Sequence, residues 1–550
     1  MISDRLLMGA TDEGPQAMTS RALAIRCLLT GLLLLLVAAG CSGPDSGDDT
    51  ATSTVTVQPM QTATIGAAAP TPTATATATL PVATATATET ATASLTPTQP
   101  APTSTATIEP TATPTPDPLP ADQAIGLPDL DAHYQIDVSA LDVATGYVRA
   151  TEVITIRAFH GALPDWLYLQ VVPAEYGFFT LHATNVNGAP VALESLNGGF
   201  TLAHDLPDDA TAPYAITLDF ELNVGAEVTG WGVTTLDGDI LRLGNWFPII
   251  STDHGYSATL DPSYTAVAEF DVTLALDDGV EFAHTGDFVA QEVLADGRIL
   301  YTLHAADVRD FALAISPSYT IDYGQSATGI ALELYTTGVG EGTRQAILAV
   351  AADALDQLSS LIGPYPYATF RIADAGPTMP GGIEYPGLIY INPAYVPLDR
   401  LIYHEVAHQW LYGIIGTRTL HDGWIDEGGA EFFERGLPTG FTEVPPLPPG
   451  GYAYWLDAIY LDLPDDPNRN WYFSIYEQGA RFYAEVKATM GDDAFWAAMQ
   501  DLYVNHAFGI ATAWDVLSTW QRHSPTDLRP LYHSYFRYDW IDAIGDPLSS

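Results

Sequence analysis

Cysteine is almost missing from this chain. Its 550 residues hold two, Cys27 and Cys41, so nothing beyond residue 41 can form an internal disulfide. A domain of several hundred residues buries enough apolar surface to do without one. Its stability must then come from packing and from any bound metal. Positive charge is scarce too: 19 Lys and Arg, of which only Lys487 is a lysine, face 67 Asp and Glu, for a net charge of −48. Such a surface excludes nucleic acid and anionic membrane as electrostatic partners. It suits a solvated exterior, and more weakly the attraction of cationic peptides. Long apolar runs are lacking as well. The run Cys27 to Ala39, behind Arg21 and Arg26, is shorter than the roughly 20 residues of a membrane span but fits a signal-peptide core of about 7 to 15. Residues 1–40 therefore read as a signal peptide and the protein as exported. A start at Met18 would give that leader the usual short basic lead.

The leader ends in Val37-Ala38-Ala39-Gly40-Cys41, which resembles the lipobox of bacterial lipoproteins. The resemblance implies lipidation at Cys41 and anchoring on the outer side of the cell membrane, facing the exterior or periplasm. The alternative is plain cleavage and a free secreted protein. Residues 41–120 are dominated by Thr, Ala and Pro, as in Thr71-Pro72-Thr73-Ala74-Thr75. This composition buries no core and predicts a disordered tether, reaching on the order of 250 Å if fully extended. Its dense Thr also permits O-glycosylation.

Residues 121–322 alternate apolar and polar positions, as in Tyr134-Gln135-Ile136-Asp137-Val138 and Ile216-Thr217-Leu218-Asp219-Phe220. Turn residues such as Asn187-Gly188 separate the runs, so a large antiparallel β domain is expected. Six histidines from His160 to His304, and His133, lie in it without ligand spacing and read as structural or surface groups. From residue 323 to 550 the pattern changes. A helix is expected over Gly342 to Leu361, a strand over Ala368 to Ala373 and another over Gly382 to Ile391. Further helices are expected over Tyr476 to Met490, Asp492 to Val504, Ala511 to Gln521 and Asp527 to Phe536. Leu437 to Gly450, rich in Pro and Gly, reads as a loop.

The chemistry concentrates in His404-Glu405-Val406-Ala407-His408, with Glu427 following after an eighteen-residue gap. Histidines four apart share one helix face and can bind one divalent metal, with the intervening Glu beside it as a base. The motif alone is weak, because five residues with two free positions recur by chance. A hydrolytic zinc site takes three protein ligands and keeps one position open. Glu427 supplies the third from a second helix, near whose start the sequence places it. The first helix is expected to start behind Pro397 and end near Gly413. Glu431 and Glu434 are candidates to orient a ligating histidine, although each alone reads more simply as a solvated helix residue.

This constellation resembles the aminopeptidase N-type zinc metallopeptidases. Beyond the zinc motif, Gly381-Gly382-Ile383-Glu384-Tyr385 resembles their Gly-x-Met-Glu-Asn motif, and Tyr476-Glu477-Gln478-Gly479 their Tyr-x-Lys-Gly motif. Gly244-Asn245-Trp246-Phe247-Pro248 and Asp310-Phe311-Ala312 resemble recurring segments of their amino-terminal domain. The resemblance runs from about residue 128 to the end. It implies an all-β, saddle-like domain followed by a thermolysin-like α+β catalytic domain that is mostly α. It implies one zinc ion on His404, His408 and Glu427, with Glu405 as general base and Tyr476 as oxyanion donor. Glu384, with Gly381 and Gly382, would receive the free amine of a peptide substrate, helped by a second acid for which Asp237 and Asp239 are candidates. The departures are Ile383, Tyr385 and Gln478, and the chain stops soon after Trp540 without the family's helical carboxy-terminal domain. A short form with an open cleft is expected. The leading function is an aminopeptidase; the alternatives are an endopeptidase or other zinc hydrolase of the epoxide-opening type, and an inactive surface binding module.

Overall fold

The computed structural model describes residues 120–226, 233–252, 264–442, 445, 455–457 and 473–545. The expected leader, Cys41, the expected tether up to residue 119 and most of the Pro/Gly-rich stretch after Thr442 lie outside the described residues, as does His254. Among the described residues no helix is long and apolar enough to cross a membrane.

The alternating segments do form strands. Eight of them make one sheet whose centre is Leu130–Asp142 between Ala268–Leu276 and Tyr147–Phe159. Along Leu130–Asp142, Tyr134, Ile136 and Val138 are buried while Gln135, Asp137 and Ser139 are exposed, the two-residue period of a half-buried strand. The sheet is not purely antiparallel: Leu130–Asp142 and Ala268–Leu276 run parallel, joined by the long excursion through residues 143–267. That excursion contributes to two four-stranded sheets, which close the core with Leu167, Leu169, Leu241, Leu243 and Trp246 against Ile136, Ile154, Phe220 and Val272.

A five-stranded mixed sheet follows, in the order Thr320–Gln325, Ala331–Thr336, Thr369–Asp374, Leu388–Ile391, Gly382–Tyr385. Its three inner strands are parallel, and Glu341–Leu361 makes the helical crossover between the first two of them. One face packs on helices, through Leu332, Leu334, Phe370 and Ile372 against Ile347, Ala351, Leu355 and Leu358. The other faces the β-rich region, through Tyr335, Ala373, Ile383, Tyr385, Leu388 and Tyr390 against Ala283, Ala312 and Ala314. Burial on both faces explains why Leu388–Ile391 reads as unbroken apolar sequence.

A hairpin replaces the single strand expected over Gly382 to Ile391. Pro386 and Gly387 turn the chain, so the stretch folds back antiparallel on itself and its first strand is the sheet edge. After it come the helices Leu398–Ala407, Thr419–Gly436, Gly479–Met490, Asp492–His506 and Ala513–His523.

Candidate metal and peptide site

The helix Leu398–Ala407 begins behind Pro397, with Asp399 in its first turn where a negative charge suits the helix dipole. It buries Leu401, Ile402, Val406 and Ala407 against the core and so turns His404, Glu405 and His408 to its other side. The helix is shorter than expected. Beyond His408 the backbone widens, with Gly413, Ile414 and Ile415 N–H groups bonding the carbonyls five residues back. Glu427 lies in the middle of Thr419–Gly436 rather than near its start, because the helix begins a turn earlier and bends at Asp422, which accepts from Arg418 Nε at 2.6 Å.

These two helices bring the three expected ligands together. Glu427 Oε2 is 3.2 Å from His404 Nε2 and 3.4 Å from His408 Nε2, and the three donor atoms lie within 4.8 Å of one another. The second nitrogen of each imidazole faces carboxylates of its own. His408 Nδ1 bonds Asp426 Oδ1 at 2.8 Å, and Asp426 in turn accepts from Thr417 Oγ1 at 3.2 Å. His404 Nδ1 lies 3.4 Å from Glu434 Oε2 and 3.9 Å from Glu431 Oε2. Glu431 is buried and paired with Arg435, and Glu434 is mostly enclosed, so neither is a solvated helix residue.

Burial alone would lower the basicity of both imidazoles. The carboxylates around them outweigh it and raise both: Glu427, Glu434 and Glu405 act on His404, and Glu384, Glu427 and Asp426 on His408. Together they leave an excess of negative charge that a divalent cation would neutralise. Two imidazoles and one carboxylate as donors suit zinc, so the residues fit the metal that their spacing implies.

Glu405 is buried, and its Oε2 has no hydrogen-bond partner among the described residues. Burial pushes its carboxyl up to about 7; His404 and His408 oppose this, and Glu427 and Glu434 add to it. Gly382 on the edge strand lies directly against it, since a Cβ there would run into the Glu405 carboxylate. Glu384, on the same face of the strand, lies one helical turn further along, with Oε1 3.9 Å from His408 Nδ1. Burial raises its pKa well above the usual range, with Glu427, Glu405 and Asp426 adding to the effect and His408 opposing it. Gly381 precedes the strand, and its carbonyl accepts from Asn392 N–H at 2.9 Å. Tyr476 sits in a wide π-type turn, Phe473–Gln478, with its ring parallel to that of His404 at 6.0 Å.

The two candidates for a second amine-binding acid are engaged elsewhere. Asp237 Oδ2 accepts from the Thr378 amide and hydroxyl at 2.8 and 2.6 Å, and Asp239 accepts from the Ser318 hydroxyl. Sequence reasoning also misses two residues that hold the site. Asp426 is adjacent to Glu427 in the chain, which is the available signal. Gln409 follows the second histidine: its Oε1 accepts from Gly387 N–H at 2.8 Å and its Nε2 donates to the Tyr385 carbonyl at 3.1 Å, tying the hairpin turn to the helix.

No established family profile matches the chain. Aminopeptidase N of Lactobacillus helveticus is 25% identical over 205 residues, 30% of this chain and 23% of that protein. Leukotriene A-4 hydrolase of Xenopus laevis is 30% identical over 86 residues, 15% of this chain and 14% of that protein. The matches thus span about a quarter or less of these relatives. Among solved structures, an M1 zinc metallopeptidase from Deinococcus radiodurans shares the fold at 17% identity and a TM-score of 0.52, covering 73% of this chain and 94% of that one. A mutant of it bound to Tyr-Ser-Ala substrate aligns at 16% identity and a TM-score of 0.53, again over 73% and 94%. The chain is thus similar over one segment to aminopeptidase N, and it shares the fold of the Deinococcus zinc metallopeptidase.

Proposed function

We propose that the protein is a zinc-dependent aminopeptidase that removes amino-terminal residues from peptides. The observation that carries this reading is the convergence of His404, His408 and Glu427 beside Glu405, whose Oε2 is left unbonded among the described residues, with Glu384 on the adjoining edge strand. His404, His408 and Glu427 would hold one zinc ion, which when bound supplies Lewis acidity to the hydrolysis. Glu405 takes a proton from the attacking water and returns it to the leaving amine, a task suited to a carboxylate between the two ligating histidines with one oxygen unbonded among the described residues. The Tyr476 hydroxyl donates to the carbonyl oxygen as charge develops on it. A peptide lies along the edge strand Gly382–Tyr385, where Gly381 and Gly382 let its backbone approach, and Glu384 pairs with its ammonium group. The five-stranded sheet with the helices after it is the thermolysin-like catalytic layer in this reading. Tyr-Ser-Ala bound to the Deinococcus mutant supports short peptides as substrates.

One observation favours a second reading. Glu384 is 2% exposed and turned toward the His408 nitrogen that Asp426 also holds. A carboxyl that stays there leaves the cleft without an amine anchor and the enzyme an endopeptidase or other zinc hydrolase. Residues 1–120 belong to the proposal as a cleaved leader, a lipid anchor at Cys41 and a tether holding the enzyme outside the membrane. The deciding experiment is hydrolysis of one peptide in free and amino-blocked form, with and without chelator. Cleavage of the free form alone, lost on chelation, is expected. Equal cleavage of both selects the second reading, and no cleavage across a broad panel with zinc bound leaves the binding module.

A further inference from the structure

Two segments noted in the sequence, Gly244-Asn245-Trp246-Phe247-Pro248 and Asp310-Phe311-Ala312, have no part in the chemistry above. The structure brings them together against the substrate strand. Tyr385, next to Glu384, is fully buried and points its hydroxyl into the β-rich region, where it donates to Asn245 Oδ1 at 2.9 Å. Asn245 Nδ2 donates to Asp310 Oδ2 at 2.8 Å, and Asp310 Oδ1 accepts from the Phe311 N–H at 2.6 Å. Gly244 leaves the space for this, since a Cβ there would collide with the Tyr385 hydroxyl. On its other side the same stretch of backbone is gripped by Gln409, just past the end of the metal-site helix, through the Tyr385 carbonyl and the Gly387 N–H. Tyr385 is therefore held at its hydroxyl from the β-rich region and at its carbonyl from the segment that carries both histidines.

We infer that Asp310, Asn245 and Tyr385 form a brace by which the β-rich region sets the position of Glu384 relative to the metal site. The inference deepens the aminopeptidase reading and rests on it for its kinetic consequence. All three side chains are buried and connected in series, so their bonds act at full strength and fix one geometry. Glu384 occupies a strand position whose neighbour cannot slide without breaking a buried bond, and a slip of about 1 Å in a binding group costs substantial affinity. None of the three is a catalytic residue: they position another.

The test uses Tyr385→Phe, Asp310→Asn, Asn245→Asp and the double variant N245D/D310N in the full chain. Tyr385→Phe removes only the hydroxyl. Each single change at 245 or 310 faces like groups against each other. The double change restores the pattern: the new carboxylate at position 245 accepts from the Tyr385 hydroxyl and from the new amide at position 310, whose oxygen still accepts from the Phe311 N–H. Two readouts are taken. Amide exchange over residues 382–388 should quicken about tenfold in the single variants, with the helix Glu341–Leu361 unchanged, and return to the wild-type rate in the double variant. The KM for an amino-free peptide should rise about tenfold in the singles with kcat little changed and zinc content intact, and recover in the double. Exchange at 382–388 equal to wild type in the single variants would overturn the brace. Faster exchange throughout the chain, unrepaired in the double, would overturn it too and reduce these residues to general packing. If wild-type enzyme cleaves free and blocked peptides alike, the aminopeptidase reading fails on that result, while the exchange data still decide the brace.

Discussion

Asp426 and Glu405 flank the same three donors and are expected to fail in different ways when changed. Asp426 fixes one nitrogen of His408 and so the direction of the other. Asp426→Asn should weaken zinc binding by about 10- to 100-fold, read by competition with a chromogenic chelator. Glu405 has no donor group among the described residues close enough to bond its Oε2. Glu405→Gln should retain zinc and lose about 10²- to 10⁴-fold in kcat, and a variant that lost the metal as well would place Glu405 among the ligands. The histidine pair and Glu405 are readable in the sequence because ligands four apart on a helix leave a local period. Glu427 is readable only through the matched spacing. The role of Asp426 is not, because one sequence does not say which neighbour reaches back to which imidazole.

Among the secondary-structure elements, the strand Tyr147–Phe159 carries the least expected residue. Its even positions Val148, Ala150 and Ile154 face the core, and Glu152 faces it with them, fully buried with neither carboxylate oxygen hydrogen-bonded among the described residues. Burial raises its pKa well above the ordinary value. A carboxyl with a raised folded pKa binds its proton more tightly in the native state. Its stability contribution is therefore complete below the unfolded pKa of about 4.3 and is lost as pH rises toward the folded value. Glu152→Leu should raise the unfolding free energy by about 1–3 kcal/mol near pH 8 and by less near pH 4, measured by denaturant titration at both. Alternation predicts this strand well even though it does not say why a glutamate occupies an inward position. The same reasoning runs Gly382 to Ile391 together, because a sheet buried on both faces removes the alternation that would mark its two strands. Pro386-Gly387 is the better signal.

Across the molecule the five-stranded sheet is shared, with helices on one face and the β-rich region on the other. Three buried side chains of the β-rich region reach across to the later half of the chain. Arg242 bonds the loop at Ala375 and Thr378, Asn245 bonds Tyr385, and Arg309 donates to the carbonyls of Tyr412 and Gly509 beyond the metal-site helix. Thermal unfolding is therefore expected as one transition, the same by whole-chain calorimetry as by hydrogen exchange in either half. Two separated transitions would show that these contacts do not couple the halves. Such contacts join residues 103 to 200 positions apart, the extremes being those of Arg309 with Tyr412 and with Gly509, and a single sequence carries no trace of them. The change from a β to a helical pattern is visible because it is a property of local periodicity.

Tyr385 stands where the resembled motif has asparagine, and a protein engineer restoring the consensus would change it first. Its ring packs edge-on to Tyr390 at 5.2 Å and its hydroxyl closes the chain of bonds to Asp310. Tyr385→Asn would leave part of the phenol's space empty and strand a carboxamide in it. The substitution that looks like a repair is one this chain can accept only together with changes at residues 244, 245 and 310, so those four positions form a single unit of redesign.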